Sequence, residues 1–384
     1  MTPEAITAIR LRDYFACEDN FIKTKDLPTD LVQGRFRDEP PRFTIVIPTY
    51  NKPALLELAV RSALAQSGDD YQILVADDEG RPGEDTGTAR LMRSMADERL
   101  IYCANRQNLG LFANWNRCFE LAQSEWVVML HDDDLLCENY LDWMRSALAA
   151  APAADLAAVR SSGFTIDQPM SEAQRKELCA APGGKQPKKL RPVSMAQLQF
   201  GPGIVWQGCC IRRSAFIERG GAQLGARQVG GRPIGAYYGQ DYCMMVRFAH
   251  RFNCYRLALP LYRVGVGANS SRNVWEWQDA LVEQHWCSRF LARQHRFLSK
   301  VGILTAQKRI LELAESYNSG ESYMGVEVGL DMAQLRRDCC IEEIDVNSSM
   351  KSAEKLWRIY DKLRMAASHL GDKRLTPPSK ENRA

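Results

Sequence analysis

The chain has 384 residues, of which 45% are hydrophobic and 25% are charged, values that are ordinary for a soluble globular protein. Its formal net charge of +3 is too small to indicate a nucleic-acid partner. No apolar run reaches the roughly 20 residues that span a bilayer, and residues 1–12 lack an apolar signal core. We therefore expect a cytoplasmic protein that is not secreted.

Twelve cysteines are scattered along the chain, and none of them forms a Cys-x-x-Cys pair. Structural zinc sites usually need such paired ligands, so the spacing disfavours zinc. The pattern favours buried, reduced thiols.

The first part of the chain alternates between predicted strands and helices. After a polar lead-in with a short helix near residues 4–15, the β-branched run 43–47 predicts a first strand. Further strands are predicted at 71–76, at 100–103 and from Trp126 onward, with helices at 55–64, 87–97 and 111–123 between them. Alternation of this kind predicts an α/β fold with a mostly parallel sheet and helices on both faces.

Polar motifs follow three of these strands. The first strand ends in Pro48-Thr49-Tyr50-Asn51, the second in Asp77-Asp78, and the fourth in His131-Asp132-Asp133-Asp134. Since the carboxyl ends of parallel strands share one edge of a sheet, we expect the three motifs to converge there. Adjacent carboxylates suit Mg²⁺ or Mn²⁺ bound to a diphosphate. The alternative is a solvated acidic turn that caps the next helix.

The second half of the domain continues with a helix over 140–148 and a strand at 156–159. Residues 167–193 are polar and rich in proline, which predicts a long irregular insertion, either a surface loop or a lid. A strand from Trp206, the glycine-rich segment 220–235, a helix opening at Asp241 and a closing strand at 260–264 follow.

The C-terminal part has helical periodicity from Val274 to Leu370. Its basic stripe, Arg289, Arg293, Arg296 and Lys300, favours the solvated face of a packed helix, with peripheral contact to an anionic membrane as the alternative. The later helices could mediate homo-oligomerisation, and the polar residues 371–384 predict a disordered tail.

The motifs in this order resemble the family 2 glycosyltransferases, whose fold is called GT-A. The resemblance is carried by Ile47-Pro48-Thr49-Tyr50-Asn51, Val75-Ala76-Asp77-Asp78, Asn108-Leu109-Gly110 and the acidic cluster. It covers roughly residues 42–268. It implies a GT-A domain there, between an N-terminal extension (1–41) and a helical C-terminal region (269–370).

The resemblance also implies roles for single residues. Those that would bind the nucleotide-sugar are Pro48, Thr49, Tyr50, Asn51, Asp77, Asp78, Asn108, Asn116 and Asp132. Asp133 and Asp134 would hold Mg²⁺ or Mn²⁺, and Asp241 would be the catalytic base. Two positions depart from the family pattern: His131 replaces an aspartate and Trp115 replaces an arginine. We expect a structural or donor-contacting role for His131, because metal sites for diphosphates are usually all oxygen.

The predicted function is that of an inverting glycosyltransferase. It would move a sugar from a UDP-, GDP- or dTDP-linked donor to a saccharide or lipid-linked saccharide, in bacterial cell-surface polysaccharide or glycoconjugate synthesis. One alternative is a non-catalytic nucleotide-sugar sensor or scaffold. Another is a sugar nucleotidyltransferase, which is disfavoured because no glycine-rich phosphate loop follows the first strand. A nicotinamide enzyme is disfavoured because Gly-x-Gly-x-x-Gly is missing there.

Overall fold

The computed structural model describes most of the chain to residue 341. The described residues are 3–95, 97–151, 156–167, 170–180, 190–193, 198, 206, 208–224, 240–266, 274–294, 299–320 and 328–341. The predicted tail, and the part of the predicted helical region beyond residue 341, lie outside them.

Strands and helices alternate through the first half, as predicted. The strands are β1 (Thr29–Gln33), β2 (Phe43–Thr49), β3 (Tyr71–Asp77), β4 (Leu100–Asn105), β5 (Trp126–Met129), β6 (Leu135–Leu136), β7 (Leu156–Asp167), β8 (Arg191–Pro192), β9 (Cys209–Arg212) and β10 (Asn253–Val266). The helices are α1 (Pro3–Leu11), α2 (Pro53–Leu64), α3 (Gly87–Ser94), α4 (Leu111–Leu121), α5 (Tyr140–Ala150), α6 (Glu172–Cys179), α7 (Arg213–Glu218), α8 (Gln240–Arg251), α9 (Val274–Arg293), α10 (Ser299–Asn318) and α11 (Met332–Asp338).

The ten strands among the described residues form one mixed sheet in the order β1-β4-β3-β2-β5-β9-β7-β10-β6, with β8 also paired to β10. Strands β4, β3, β2 and β5 run parallel to one another. Every residue of β2 and β3 is buried, as expected for parallel strands that are covered on both faces. The fold class predicted from the sequence, a GT-A-like α/β sheet with helices on both faces, is confirmed.

The second half of the sheet reverses direction at β9, which runs antiparallel to both β5 and β7. The long strands β7 and β10 then pair in parallel. Strand β7 spans 12 residues and extends well beyond the predicted 156–159. The antiparallel β9 therefore joins the first four parallel strands to a second parallel pair.

The polar lead-in contributes a strand that the sequence analysis did not predict. Strand β1 pairs antiparallel with β4 and forms one edge of the sheet. Its residues are half-buried or exposed, and the sequence Thr-Asp-Leu-Val-Gln lacks the alternation that identifies a strand. This strand therefore forms because it pairs with β4, and its own composition does not predict it.

The prediction of an irregular insertion at 167–193 is wrong for residues 172–179, which form α6. A capping box starts this helix, because the Ser171 side chain and Gln174 satisfy each other's main-chain N–H groups. Arg263 of β10 donates to the carbonyl of Leu178 at the end of α6. A capping box can start a helix within a segment rich in proline and glycine, so composition alone mispredicts residues 172–179.

The C-terminal helices α9 and α10 pack against each other and, with α8, cover one face of the sheet. The basic stripe is not simply solvated: Arg289 lies over the Trp286 ring, 4.6 Å from its centroid, and donates to the Cys339 carbonyl. The structure does not describe Arg296 or the side chain of Lys300. No described helix is long and apolar enough to cross a membrane.

We predict that Arg117→Met lowers the free energy of unfolding by about 2 kcal/mol, because this buried guanidinium joins the lead-in to α4. It donates to the Thr29 hydroxyl and to the Thr24 carbonyl. Arg106→Met is the matched control, since Arg106 joins β4 to β1 through an exposed ion pair with Asp30. Urea denaturation of the two variants checks this prediction. Equal stability losses would contradict it.

Candidate functional site

Three loops meet at the carboxyl edge of the parallel strands. Thr49 at the end of β2 lies in register with Asp77 at the end of β3. The chain leaving β5 continues beside β2, since the Leu130 N–H donates to the Val46 carbonyl. The segments after β2, β3 and β5 therefore share one edge, as predicted.

Asp132 lies between the hydroxyl of Thr49, the last residue of β2, and the ammonium group of Lys52 in the loop that follows. The Thr49 hydroxyl donates to Asp132 Oδ2 at 2.8 Å. Lys52 Nζ lies 3.4 Å from Asp132 Oδ1 and 3.0 Å from Asp133 Oδ2. Burial raises the pKa of Asp132 to about 6, although Lys52 acts in the opposite direction. Burial acts to lower the pKa of Lys52, but the two carboxylates outweigh it and the pKa is raised.

Asp134 connects the acidic cluster to the end of β10 through hydrogen bonds. The Tyr262 hydroxyl donates to its Oδ2 and the Gly265 N–H to its Oδ1, each at 2.7 Å. Asp134 is fully buried, and burial raises its pKa well above the usual value. Both of its oxygens therefore already accept a hydrogen bond within the protein.

The imidazole of His131 completes this cluster. Its ring stacks on Trp115, with the ring centroids 5.1 Å apart, and its Nδ1 lies 3.5 Å from Asp134 Oδ2. Its Nε2 is buried and has no hydrogen-bond partner among the residues that the structure describes. Burial lowers the pKa of His131, so the ring can offer a lone pair.

These residues fit a divalent cation. His131, Asp133 and Asp134 each offer a ligand atom, and the three atoms lie within 4.8 Å of one another. The unpartnered imidazole nitrogen has the chemistry of a metal ligand. The sequence analysis placed Asp133 and Asp134 in this site and gave His131 a different role, whereas the structure groups all three.

Asp77 makes hydrogen bonds at the end of β3. The Tyr102 hydroxyl donates to its Oδ2 at 2.7 Å and the Glu79 N–H to its Oδ1 at 2.9 Å. Burial raises the pKa of Asp77 above its usual value. These contacts fix the orientation of the carboxylate at the same edge as the acidic cluster.

Asp78 holds the loop that precedes α4. Its carboxylate accepts from Asn105 Nδ2, from the Leu109 N–H at 2.7 Å and from the Gly110 N–H at 2.9 Å. Asn108 in turn donates to the Asp78 carbonyl. Burial raises the pKa of Asp78 to about 6. These contacts of Asp78 and Asn108 are all within the protein and shape the loop 108–110.

Asn116 makes its hydrogen bonds with the main chain after α7. Its amide donates to the Ala222 carbonyl and its carbonyl oxygen accepts from the Ala222 N–H. Gly221 beside it has a φ of +71°, and a Cβ there would lie 2.5 Å from Asn116 Oδ1. Asn116 is completely buried, so its contacts in the structure are those of a residue that positions a turn.

The remaining predicted residues lie around the loops. Pro48 is buried in β2, while Asn51 is exposed with a φ of +52°. Tyr50 is 57% exposed. Asp241 is half-buried in the first turn of α8.

Asp241 lies near Cys209 of β9, the strand beside β5, because its charge acts on the pKa of that thiol. Burial raises the pKa of Cys209 to about 12. Two nearby charged groups also act on this pKa: Arg160 lowers it and Asp241 raises it. The predicted base is therefore close to the strand that joins the two halves of the sheet.

Sequence reasoning missed two residues of the cluster. Lys52 follows directly on the Pro-Thr-Tyr-Asn motif, so its position beyond the first strand could have identified it. Tyr262 lies in the closing strand, and nothing in the sequence links it to Asp134. That contact depends on the antiparallel pairing of β10 with β6, which follows the acidic cluster.

Residues 44–220 match the model of the family described as glycosyl transferase family 2. Two similar proteins are the GalNAc(5)-diNAcBac-PP-undecaprenol β-1,3-glucosyltransferase of Campylobacter jejuni and the putative colanic acid biosynthesis glycosyl transferase WcaA of Escherichia coli. The first is 32% identical over 102 residues, covering 26% of this chain and 32% of that protein. The second is 30% identical over 101 residues, covering 26% and 36%.

The fold is similar to that of Staphylococcus aureus TarS (residues 1–349) in complex with UDP. That structure superposes with a TM-score of 0.51 at 10% identity, covering 88% of this chain and 100% of that one. Residues 44–220 thus match glycosyltransferase family 2 and lie within the GT-A-like α/β sheet described above. The matched region spans about a third of the length of the curated relatives.

We predict that Lys52→Met strengthens Mn²⁺ binding about five-fold, because the Lys52 ammonium competes with a cation for Asp133. Electron paramagnetic resonance of free Mn²⁺ measures the affinity. Arg61→Met is the control, since Arg61 is an exposed cation of α2 that pairs with Glu57. Weaker Mn²⁺ binding by Lys52→Met would show that Lys52 organises the carboxylates and does not compete for them.

Proposed function

We propose that this protein is an inverting glycosyltransferase that moves a sugar from a nucleotide-diphosphate-sugar to a hydroxyl acceptor. One observation carries the proposal: a family 2 domain in which His131, Asp133 and Asp134 form a candidate cation site at the carboxyl edge of β2, β3 and β5. Ligands of open α/β sheets bind at this edge.

The donor would lie across the three converging loops. Asp77 would accept a hydrogen bond from the base, and Asp132, already oriented by Thr49, would lie near the ribose. Pro48, Tyr50 and Asn51 would line the entrance to the nucleotide pocket. Asp78, Asn108 and Asn116 would support this pocket through the loops that they hold.

His131, Asp133 and Asp134 would hold Mg²⁺ or Mn²⁺. The cation would neutralise the negative charge that develops on the departing diphosphate. An imidazole among carboxylates favours Mn²⁺ over Mg²⁺, which prefers all-oxygen octahedra. Trp115 would fix the imidazole plane, and Asp134 would be kept in place by Tyr262 and Gly265.

Asp241 would act as the general base. The acceptor hydroxyl attacks the anomeric carbon from the face opposite the diphosphate, and its proton passes to the Asp241 carboxylate. The new glycosidic bond forms as the bond from the anomeric carbon to the phosphate oxygen breaks, and the nucleoside diphosphate departs. This single displacement inverts the anomeric configuration.

The acceptor is proposed to be a saccharide or lipid-linked saccharide of a bacterial surface glycoconjugate. The Campylobacter relative is named as a glucosyltransferase for a PP-undecaprenol-linked glycan and the Escherichia relative as a putative colanic acid biosynthesis glycosyl transferase, and both names support this class.

We predict that the protein releases nucleotide from one member of a panel of UDP-, GDP- and dTDP-sugars, and that release requires Mn²⁺ or Mg²⁺. Asp133→Ala is expected to abolish release, because it removes a carboxylate from the cation site. Asp241→Asn is expected to lower transfer to an acceptor by about 10²-fold or more while keeping donor binding. Chromatography of the released nucleotide and of the product measures both effects.

Release that persists in both variants would refute this site. Metal-dependent binding of nucleotide without turnover, in the presence of candidate acceptors, would instead identify a sensor. Asp142→Asn is a matched control, because Asp142 is an acidic residue of α5 that pairs with Arg145, away from the cluster.

We predict that His131 supplies a nitrogen ligand to Mn²⁺. Pulsed electron paramagnetic resonance of the Mn²⁺-loaded protein should then show coupling to ¹⁴N. His131→Phe retains a ring that can stack on Trp115 but removes the nitrogen, so the coupling should disappear. An unchanged ¹⁴N signal in His131→Phe would assign the nitrogen ligand to another residue, and a wild type without ¹⁴N coupling would assign the cation to oxygen ligands alone.

A further inference from the structure

Three arginines lie side by side in the second half of the sheet. Arg256 of β10 is in register with Arg160 of β7 on one side and with Arg191 of β8 on the other. Neighbouring strands are about 4.8 Å apart, so the row spans roughly 10 Å between its outer Cα atoms. We refer to these residues as the arginine row.

The alternation of core residues shows that the row occupies one face of the sheet. Val159, Tyr255 and Leu257 pack into the core of the opposite face. Ala158 and Cys254, two positions before Arg160 and Arg256, belong to the core that also contains α8. Val193, two positions after Arg191, lies in that same core. Because side chains two apart share a face, all three arginines project to the side of α8.

No acid among the described residues forms an ion pair with the row. In the part of the chain that the structure describes, Arg160, Arg191 and Arg256 form no ion pairs, and the buried Arg160 Nε has no hydrogen-bond partner there. Burial lowers the pKa of Arg256. The charges of Arg191 and Arg160 lower this pKa further. Like charges directly opposite each other in a sheet are destabilising. Fold stability therefore does not explain the row.

The first arginine of the row and the proposed base both lie near the Cys209 thiol. Arg160 is in register with Cys209 of β9, and Arg160 and Asp241 are the two charged side chains that act on that thiol. The donor loops follow β2, β3 and β5, on the other side of β9. A substrate that presents its hydroxyl to Asp241 could therefore extend along the row, away from the donor.

We propose that the arginine row binds a phosphate or diphosphate group carried by the acceptor. Guanidinium groups match phosphate oxygens with paired N–H donors. Three neighbouring guanidinium groups that form no ion pair among the described residues suit a ligand with two or more negative charges. The identification of this ligand as the acceptor rests on the proposed function, whereas anion binding by the row does not.

Isothermal titration calorimetry with inorganic pyrophosphate tests the site directly. The full chain is titrated in EDTA, which removes divalent cations. Without a cation the acidic cluster repels pyrophosphate, so binding at the cluster is disfavoured. Arg256→Gln and Arg191→Gln should each weaken binding about five-fold or more, and the double variant should bind no pyrophosphate. Arg251→Gln is the matched control, because it removes one arginine of α8 that pairs with the exposed Glu218.

Thermal stability separates binding from a structural role. Since the arginines repel one another, Arg256→Gln should keep or raise the Tm of the free protein. Pyrophosphate should raise the Tm of the wild type but not that of Arg256→Gln. A lower Tm in Arg256→Gln together with unchanged pyrophosphate affinity would overturn the proposal.

A second arm distinguishes the source of the phosphate. Geranyl diphosphate represents a diphosphate-linked acceptor, and phosphatidylcholine vesicles with or without phosphatidic acid represent a membrane surface. Binding of geranyl diphosphate that depends on Arg256 supports the acceptor. Arg256-dependent binding to the phosphatidic acid vesicles alone would overturn the acceptor assignment. If pyrophosphate binds through the row and no sugar donor is turned over, the anion site stands and the proposed function fails.

Discussion

The buried acidic cluster at the end of β5 constrains the structure around it. Asp132, Asp133 and Asp134 are adjacent and each is at least nine-tenths buried, so their mutual repulsion has to be offset by donors and positive charge. The offset comes from two directions: Thr49 at the end of β2 with Lys52 just beyond it, and Tyr262 and Gly265 of β10. The two halves of the sheet are thereby joined through these carboxylates.

The sheet divides the molecule into two chemically distinct parts. On the β2–β3–β5 side the loops carry carboxylates, which suit a cation and a nucleotide diphosphate. On the β7–β10–β8 side one face carries Arg160, Arg256 and Arg191, which form no ion pair within the described part of the chain. Strand β9 lies between these parts, with Asp241 close to it. Donor and acceptor would thus approach the proposed base from opposite sides.

Several polar residues of the family motifs have a supporting role in this chain. Asp78 accepts three hydrogen bonds that shape the loop 108–110, and Asn116 fixes the main chain at Ala222. Such contacts hold the loops that would bind the nucleotide at fixed positions. Preorganisation of this kind lowers the entropic cost of binding a flexible donor.

The sequence by itself determined the alternating elements of the first half and the edge at which their polar ends meet. Buried parallel strands read as continuous apolar runs, and the run before His131 stops sharply at its carboxylates. The helix at Asp241 was likewise predictable from its apolar spacing. These features are local, so the pattern of neighbouring residues was sufficient to find them.

Only the tertiary structure decided which of these residues act together. Strand β1 exists through its pairing with β4. Lys52 reaches Asp133, and Tyr262 reaches Asp134 from 128 positions away. The arginine row is formed by strands far apart in the chain. Sequence periodicity reports which face of an element is buried, but contacts between distant segments depend on strand order and register, which no local pattern encodes.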